Sequence, residues 1–143
     1  MNWIGQFLLW FHAASAIVWI GGIFFMMAVA VPLAGPPVAG ALGKKFSGIA
    51  DWCIASLVIT GAAAVFFEGY FYAPVQPLPL VKLLMATVMI SVHYYRGKVL
   101  GPEISKAGDA QTARLKRLSA NLAWFNLALG FIVVFVSMVL AKS

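Results

Sequence analysis

Four long apolar segments dominate this chain of 143 residues. A helix needs about 20 apolar residues to cross a bilayer, and the segments cover approximately residues 4–31, 51–67, 80–95 and 122–140. Charged residues make up only 10% of the chain, whereas soluble domains carry about a quarter. The sequence therefore predicts an all-α integral membrane protein, a four-helix bundle that forms a single four-span domain over residues 1–143.

The connections between the predicted spans differ in charge. Most basic residues lie in the first and third connections: Lys44, Lys45, Arg96, Lys98, Lys106, Arg114, Lys116 and Arg117. The second connection, residues 68–79, has three prolines but no lysine or arginine. Basic connections stay in the cytoplasm, so we expect an up-down-up-down bundle in a bacterial-type inner (plasma) membrane with both termini outside. The residues show no convincing internal repeat.

Charge and cysteine content exclude several classes of protein. The net charge of +6 comes from residues that flank the predicted spans, which is a topological pattern. We therefore predict the lipid bilayer as a partner and no nucleic acid. The single cysteine, Cys53, excludes an internal disulfide and any multi-cysteine metal site. Because it lies in an apolar run, it is predicted to pack as a small hydrophobic residue.

Ionisable residues lie inside two of the apolar segments, where lipid makes them costly. One helical face of the first segment carries four residues at helical spacing: His12, Ser15, Trp19 and Met26. One face of the third segment carries another four: Lys82, Met89, His93 and Arg96. Intramembrane ionisable residues usually face the bundle interior and mark a functional site. We therefore expect a polar site between the first and third spans.

The side chains on these faces suit a metal ion or a haem. Imidazole and thioether groups together suit Cu(I) and haem iron, and the predicted metal ligands are His12, His93, Met26 and Met89. Methionine is also ordinary filler in apolar cores, and a structural His12 could bond to Ser56 or Thr60. Lys82 either reaches the outer headgroups, binds an anionic group such as a propionate, or pairs with Glu68.

Depth within the membrane limits how these ligands can combine. At a rise of 1.5 Å per residue, His93 lies roughly 16 Å deeper than Lys82, and Met26 roughly 21 Å deeper than His12. The two histidines therefore fall in different layers. One ion bound by both would require the helices to slide strongly past each other.

The fourth segment has a separate polar face, which carries Asn126, Gly130 and Ser137. We interpret this face as one that forms interhelical hydrogen bonds.

A motif in the first segment resembles a known family. The run His12-Ala-Ala-Ser-Ala-Ile-Val-Trp19-Ile-Gly21-Gly22 contains a histidine followed by Trp-x-Gly-Gly, which resembles the first helix of the copper-resistance CopD-like domain. Lys82 followed by His93 resembles both that domain and the related HemJ-type protoporphyrinogen oxidase. The HemJ type has an arginine and a second histidine where this chain has Phe24-Phe25-Met26-Met27-Ala28-Val29, so the likeness favours the CopD-like branch.

The resemblance implies haem b with His12 as an axial ligand, and the predicted cofactor-binding residues are His12, Trp19, Lys82 and His93. We expect a small inner-membrane CopD-like protein that binds haem b or copper for redox or metal handling. A membrane quinone or a larger membrane complex is the expected partner. Two alternatives are a HemJ-type protoporphyrinogen IX oxidase and a non-catalytic subunit or assembly factor. The residues leave open whether the protein is an enzyme.

Overall fold

The chain is built from long helices, and a computed structural model describes residues 3–67 and 77–140. In order, the elements are α1 (Trp3–Phe25), the π-helical segment π1 (Met26–Ala30), α2 (Val31–Leu33), α3 (Pro36–Phe67), α4 (Pro77–Tyr94), the π-helical segment π2 (Tyr95–Leu100), α5 (Gly101–Lys106) and α6 (Asp109–Leu140). Within the described ranges only Ala34, Gly35, Ala107 and Gly108 are not helical. The predicted all-α class is confirmed.

The helices group into two compact units, Met1–Gln76 and Pro77–Ser143. In the first unit α1 packs against α3, with His12 beside Thr60 and Gly22 beside Phe46. As the residue numbers rise along α1, the residues of α3 that it contacts have falling numbers. The two helices are therefore antiparallel. In the second unit α4 packs against α6, and π2 reaches the same helix. Each unit is therefore a helical hairpin.

A π-helical segment precedes a proline in both units. The Val31 N–H donates to the carbonyl of Met26, five residues earlier, and Pro32 follows. The Gly101 N–H donates in the same way to the carbonyl of Arg96, and Pro102 follows. Proline has no N–H to continue the ordinary helical ladder, and its ring crowds the preceding turn. A locally widened helix ahead of each proline accommodates both effects.

The two units repeat one structural plan. Each breaks at an alanine-glycine pair, where Ala34 and Ala107 are extended, and continues into a helix of 32 residues. Three buried positions before the break correspond at an offset of 70: Trp19 with Met89, Ile23 with His93, and Ala30 with Leu100. Three after it correspond at an offset of 73: Ala50 with Ala123, Cys53 with Asn126, and Ile54 with Leu127.

The change of offset from 70 to 73 has a simple origin, because α5 has six residues and α2 has three. This repeat corrects the expectation drawn from the residues. It lies in the placement of prolines, turns and buried positions, while the side chains at those positions differ. A comparison of residue identities therefore does not detect it.

Three helices in the described part of the chain are long and apolar enough to cross a membrane: Trp3–Leu33, Pro37–Ala64 and Asp109–Val139. They coincide with or overlap the predicted spans 4–31, 51–67 and 122–140. The last two helices begin well before those spans, so Lys44, Lys45 and Arg114 are carried on helices. The predicted span 80–95 falls on α4 and π2 and stays a prediction, as do the single-domain arrangement and the orientation.

Candidate functional site

His12 is held inside the first unit by a hydrogen bond to the facing helix. Its Nδ1 lies 2.7 Å from the Oγ1 of Thr60, a residue that is only 4% exposed. The Thr60 hydroxyl donates to the carbonyl of Ser56 at 2.6 Å. A hydroxyl has one hydrogen to donate, so Thr60 accepts from His12. This bond places the proton of the neutral imidazole on Nδ1 and the lone pair on Nε2.

The surroundings of His12 keep its ring close to α3. A Cβ added at Gly61 would lie 3.6 Å from the Cε1 of His12, so the ring packs at a position without a side chain. Ser15, one turn along α1, donates to the carbonyl of Phe11 at 2.9 Å within its own helix. Trp19 is buried at 3% exposure. The predicted alternative of a bond from His12 to Ser56 or Thr60 is confirmed for Thr60.

The second unit buries two of the predicted ligands. Met89 is 2% exposed and His93 is 8% exposed, and both lie on the face of α4 that the spacing predicts. The ring of His93 meets the edge of Tyr94 at a centroid distance of 5.4 Å. Lys82 is half-buried. Its predicted partner Glu68 lies outside the described residues, and the roles assigned to Lys82 and Trp19 stay predictions.

Asn126 is a candidate ligand that the sequence did not indicate as one. It is 0% exposed, and neither Oδ1 nor Nδ2 has a hydrogen-bond partner among residues 3–67 and 77–140. Ser137, on the same helical face, donates to Val133 of its own helix at 2.7 Å. The interpretation of this face as interhelical hydrogen bonding therefore finds no support in the described residues. The sequence feature that could have indicated Asn126 as a candidate is the presence of an amide side chain within an apolar span.

The donor set decides which metal these residues could hold. The described ranges contain no group of three histidine, cysteine, aspartate or glutamate residues that could hold a metal ion, so they offer no zinc-type site. Cu(I) is selected instead by soft thioether and imidazole donors. Buried donors of this kind are present in Met89 and His93. The residues fit Cu(I) better than a hard divalent ion.

The helices and their buried polar residues define an integral membrane protein with candidate metal-ligating side chains. The family model described as copper resistance protein D (CopD) matches residues 40–140, and the chain belongs to this family. No curated protein and no solved structure matches the chain. The matched region includes Lys82, Met89, His93 and Asn126. His12 and its Trp-x-Gly-Gly motif precede it, so membership of the family rests on the helices from α3 onward.

Proposed function

We propose that this membrane protein binds copper and handles it as cargo, with the Nε2 of His12 as one ligand. The observation that carries the proposal is the hydrogen bond from His12 to Thr60, at 2.7 Å. Metal-bound histidines characteristically donate their other ring N–H to an oxygen acceptor, which orients the ring and raises its basicity. In the tautomer set by Thr60, His12 already donates its Nδ1–H to an oxygen acceptor and keeps the lone pair of Nε2 for a metal.

Copper is favoured because the chain supplies neutral, soft donors. The family match concerns copper resistance, and imidazole and thioether groups suit Cu(I). Of the other predicted ligands, Met26 lies in the first unit, and Met89 and His93 lie in the second. Met26 is half-buried in π1, and it stays a predicted ligand. These groups can bind and release Cu(I) without any oxidation or reduction of a protein side chain.

Copper loading of the purified protein tests this proposal. Detergent-solubilised protein is loaded anaerobically with Cu(I), freed of excess metal and analysed for copper. We expect His12→Ala to lower the copper affinity at its site by about tenfold or more. Gln6→Ala, at an exposed position on the same helix, is the matched control and keeps the wild-type value. Copper binding by His12→Ala that equals the wild type would refute the role of His12.

Replacement of Thr60 by valine tests the orienting bond separately. Valine keeps the shape of threonine and removes the acceptor for the Nδ1–H of His12. We expect copper affinity to fall by about 10- to 100-fold, as is typical when the partner of a metal-bound histidine is lost. Thr87→Val is the control, because Thr87 is exposed and its hydroxyl donates only within its own helix, to Leu83 at 2.9 Å. Equal losses in the two variants would contradict the argument.

Haem b is the second candidate, favoured by the same tautomer of His12. An axial histidine binds iron through one nitrogen, while hydrogen bonding at the other tunes the iron. An absorption spectrum separates the two candidates. A Soret band that disappears in His12→Ala would assign haem, whereas colourless protein without iron would exclude it. The HemJ-type oxidase and the non-catalytic subunit stay predictions, testable by rescue of a haem-auxotrophic strain and by co-purification.

A further inference from the structure

We propose that the second unit has a Cu(I) site of its own, formed by Met89, His93 and Asn126. The identity of the metal rests on the proposed function, but the site does not depend on His12. It uses a thioether sulfur, an imidazole nitrogen and an amide group within one helical hairpin. The three residues lie on α4 and α6, which pack against each other.

Two of the three groups come from adjacent turns of α4. Met89 and His93 are four residues apart, which places them on one face of the helix, about 6 Å apart along its axis. Both are buried, at 2% and 8% exposure. A thioether and an imidazole at this spacing can converge on one ion, because long side chains bridge a single turn of helix.

The pairing of α4 with α6 places Asn126 in the part of the hairpin that holds Met89. The Nε of Arg96 donates to the Oγ of Ser119 at 3.3 Å, so these two residues lie within side-chain reach of each other. Met89 lies seven residues before Arg96, and Asn126 lies seven residues after Ser119. Because the two helices run in opposite directions, equal steps of about 10 Å place Met89 and Asn126 in the same part of the hairpin.

The first unit supports this register through the repeat. The offsets of 70 and 73 that relate the buried positions of the two hairpins also relate Arg96 to Met26 and Ser119 to Phe46. Applied to Met89 and Asn126, they lead to Trp19 and Cys53. His12 lies seven residues before Trp19, and Thr60 lies seven residues after Cys53. These two residues are in hydrogen-bond contact. One register therefore describes both hairpins.

The state of Asn126 is the independent observation that points to a ligand. A fully buried amide whose oxygen and nitrogen both lack partners in the described part of the chain is costly. Such exceptions are rare in native proteins and each requires an explanation. An ion held by Met89 and His93 supplies one, because the amide oxygen of Asn126 can face the positive charge.

The charge of the donors selects the oxidation state of the metal. As metal ligands, a thioether, an imidazole and an amide bring no charge, so the bound ion keeps its full charge inside an apolar hairpin. A charge of +1 costs far less there than +2, and thioether sulfur prefers Cu(I). At the corresponding positions the first unit has Trp19, Ile23 and Cys53, of which only Cys53 has a donor suited to copper. The proposed site is therefore particular to the second unit.

Anaerobic titration of the full-length protein in detergent, with Cu(I) in competition with a chromophoric chelator, tests the site. Met89→Leu and Asn126→Leu preserve side-chain volume, and we expect each to lower Cu(I) affinity at this site by about tenfold or more. Met138→Leu is the matched control, since Met138 lies on α6 and is 58% exposed. We expect this control to match the wild type.

X-ray absorption at the copper edge gives a second readout, and its first measurement uses the wild-type protein alone. Wild-type protein loaded with Cu(I) is expected to show a sulfur scatterer, and Cys53→Ala is expected to retain it. Met89→Leu, made in the His12→Ala background, is expected to lose it. Absence of sulfur in the wild-type spectrum would overturn the site.

The outcomes separate this inference from the proposed function. If His12→Ala loses copper while Met89→Leu and Asn126→Leu both keep the wild-type affinity, the role of His12 stands and the second site is refuted. Copper loss only in the Met89 and Asn126 variants would establish the second site and refute the role of His12. A wild-type protein that binds no Cu(I) would refute both.

Discussion

Substitution of Gly22 by isoleucine is expected to lower the free energy of unfolding by about 1–3 kcal/mol, the usual cost of overpacking. A Cβ added at Gly22 would overlap the ring of Phe46, whose Cζ would lie only 2.7 Å away and whose Cε2 would be closer still. Small residues let membrane helices approach each other. Isoleucine at this position therefore forces α1 and α3 apart or displaces the Phe46 ring.

Gly21→Ile is the matched control for this prediction. A Cβ added at Gly21 meets nothing within 4 Å, and both substitutions change intrinsic helix propensity equally. Unfolding in mixed detergent micelles, followed by circular dichroism, measures the difference between the two variants. Phe46→Ala combined with Gly22→Ile should recover part of the loss, because it vacates the same space. Equal stability of the two glycine variants would mean that the helices do not meet at Gly22.

Replacement of Asn126 by leucine is expected to stabilise the metal-free protein by about 1–3 kcal/mol, the range for an unsatisfied buried polar group. The amide is 0% exposed and has no hydrogen-bond partner in the described residues. Leucine has a similar volume and leaves no polar atom to satisfy. Thermal unfolding of apo-protein in detergent measures the gain. The same variant should bind copper more weakly, so stability and metal affinity would change in opposite directions.

Asn121→Leu provides the control on the same helix. Asn121 is exposed, and exposed substitutions usually change stability by less than about 0.5 kcal/mol. A loss of stability in Asn126→Leu, with Asn121→Leu unchanged, would show that the amide has a structural partner. That result would remove the stability argument for a ligand at Asn126.

The residues of α1 show how far sequence patterns reach. Seven-residue spacing correctly predicts that His12 and Trp19 lie on the same face, because helical periodicity is a local property. It does not choose between Ser56 and Thr60 as the partner of His12. That choice depends on how far α3 slides along α1, which the close contact of Gly22 with Phe46 helps to set. A contact between residues 24 positions apart has no local signature.

What the sequence by itself determined is the class of protein and its long helices, since hydropathy and charge act over one or two turns and need no partner. Only the tertiary structure decided the proton position on His12, the burial of Asn126 and the repeat of two hairpins. Each of these depends on which residues of two antiparallel helices lie level with one another. That register is set by interhelical contacts such as that of Gly22 with Phe46, so it emerges only when the helices pack.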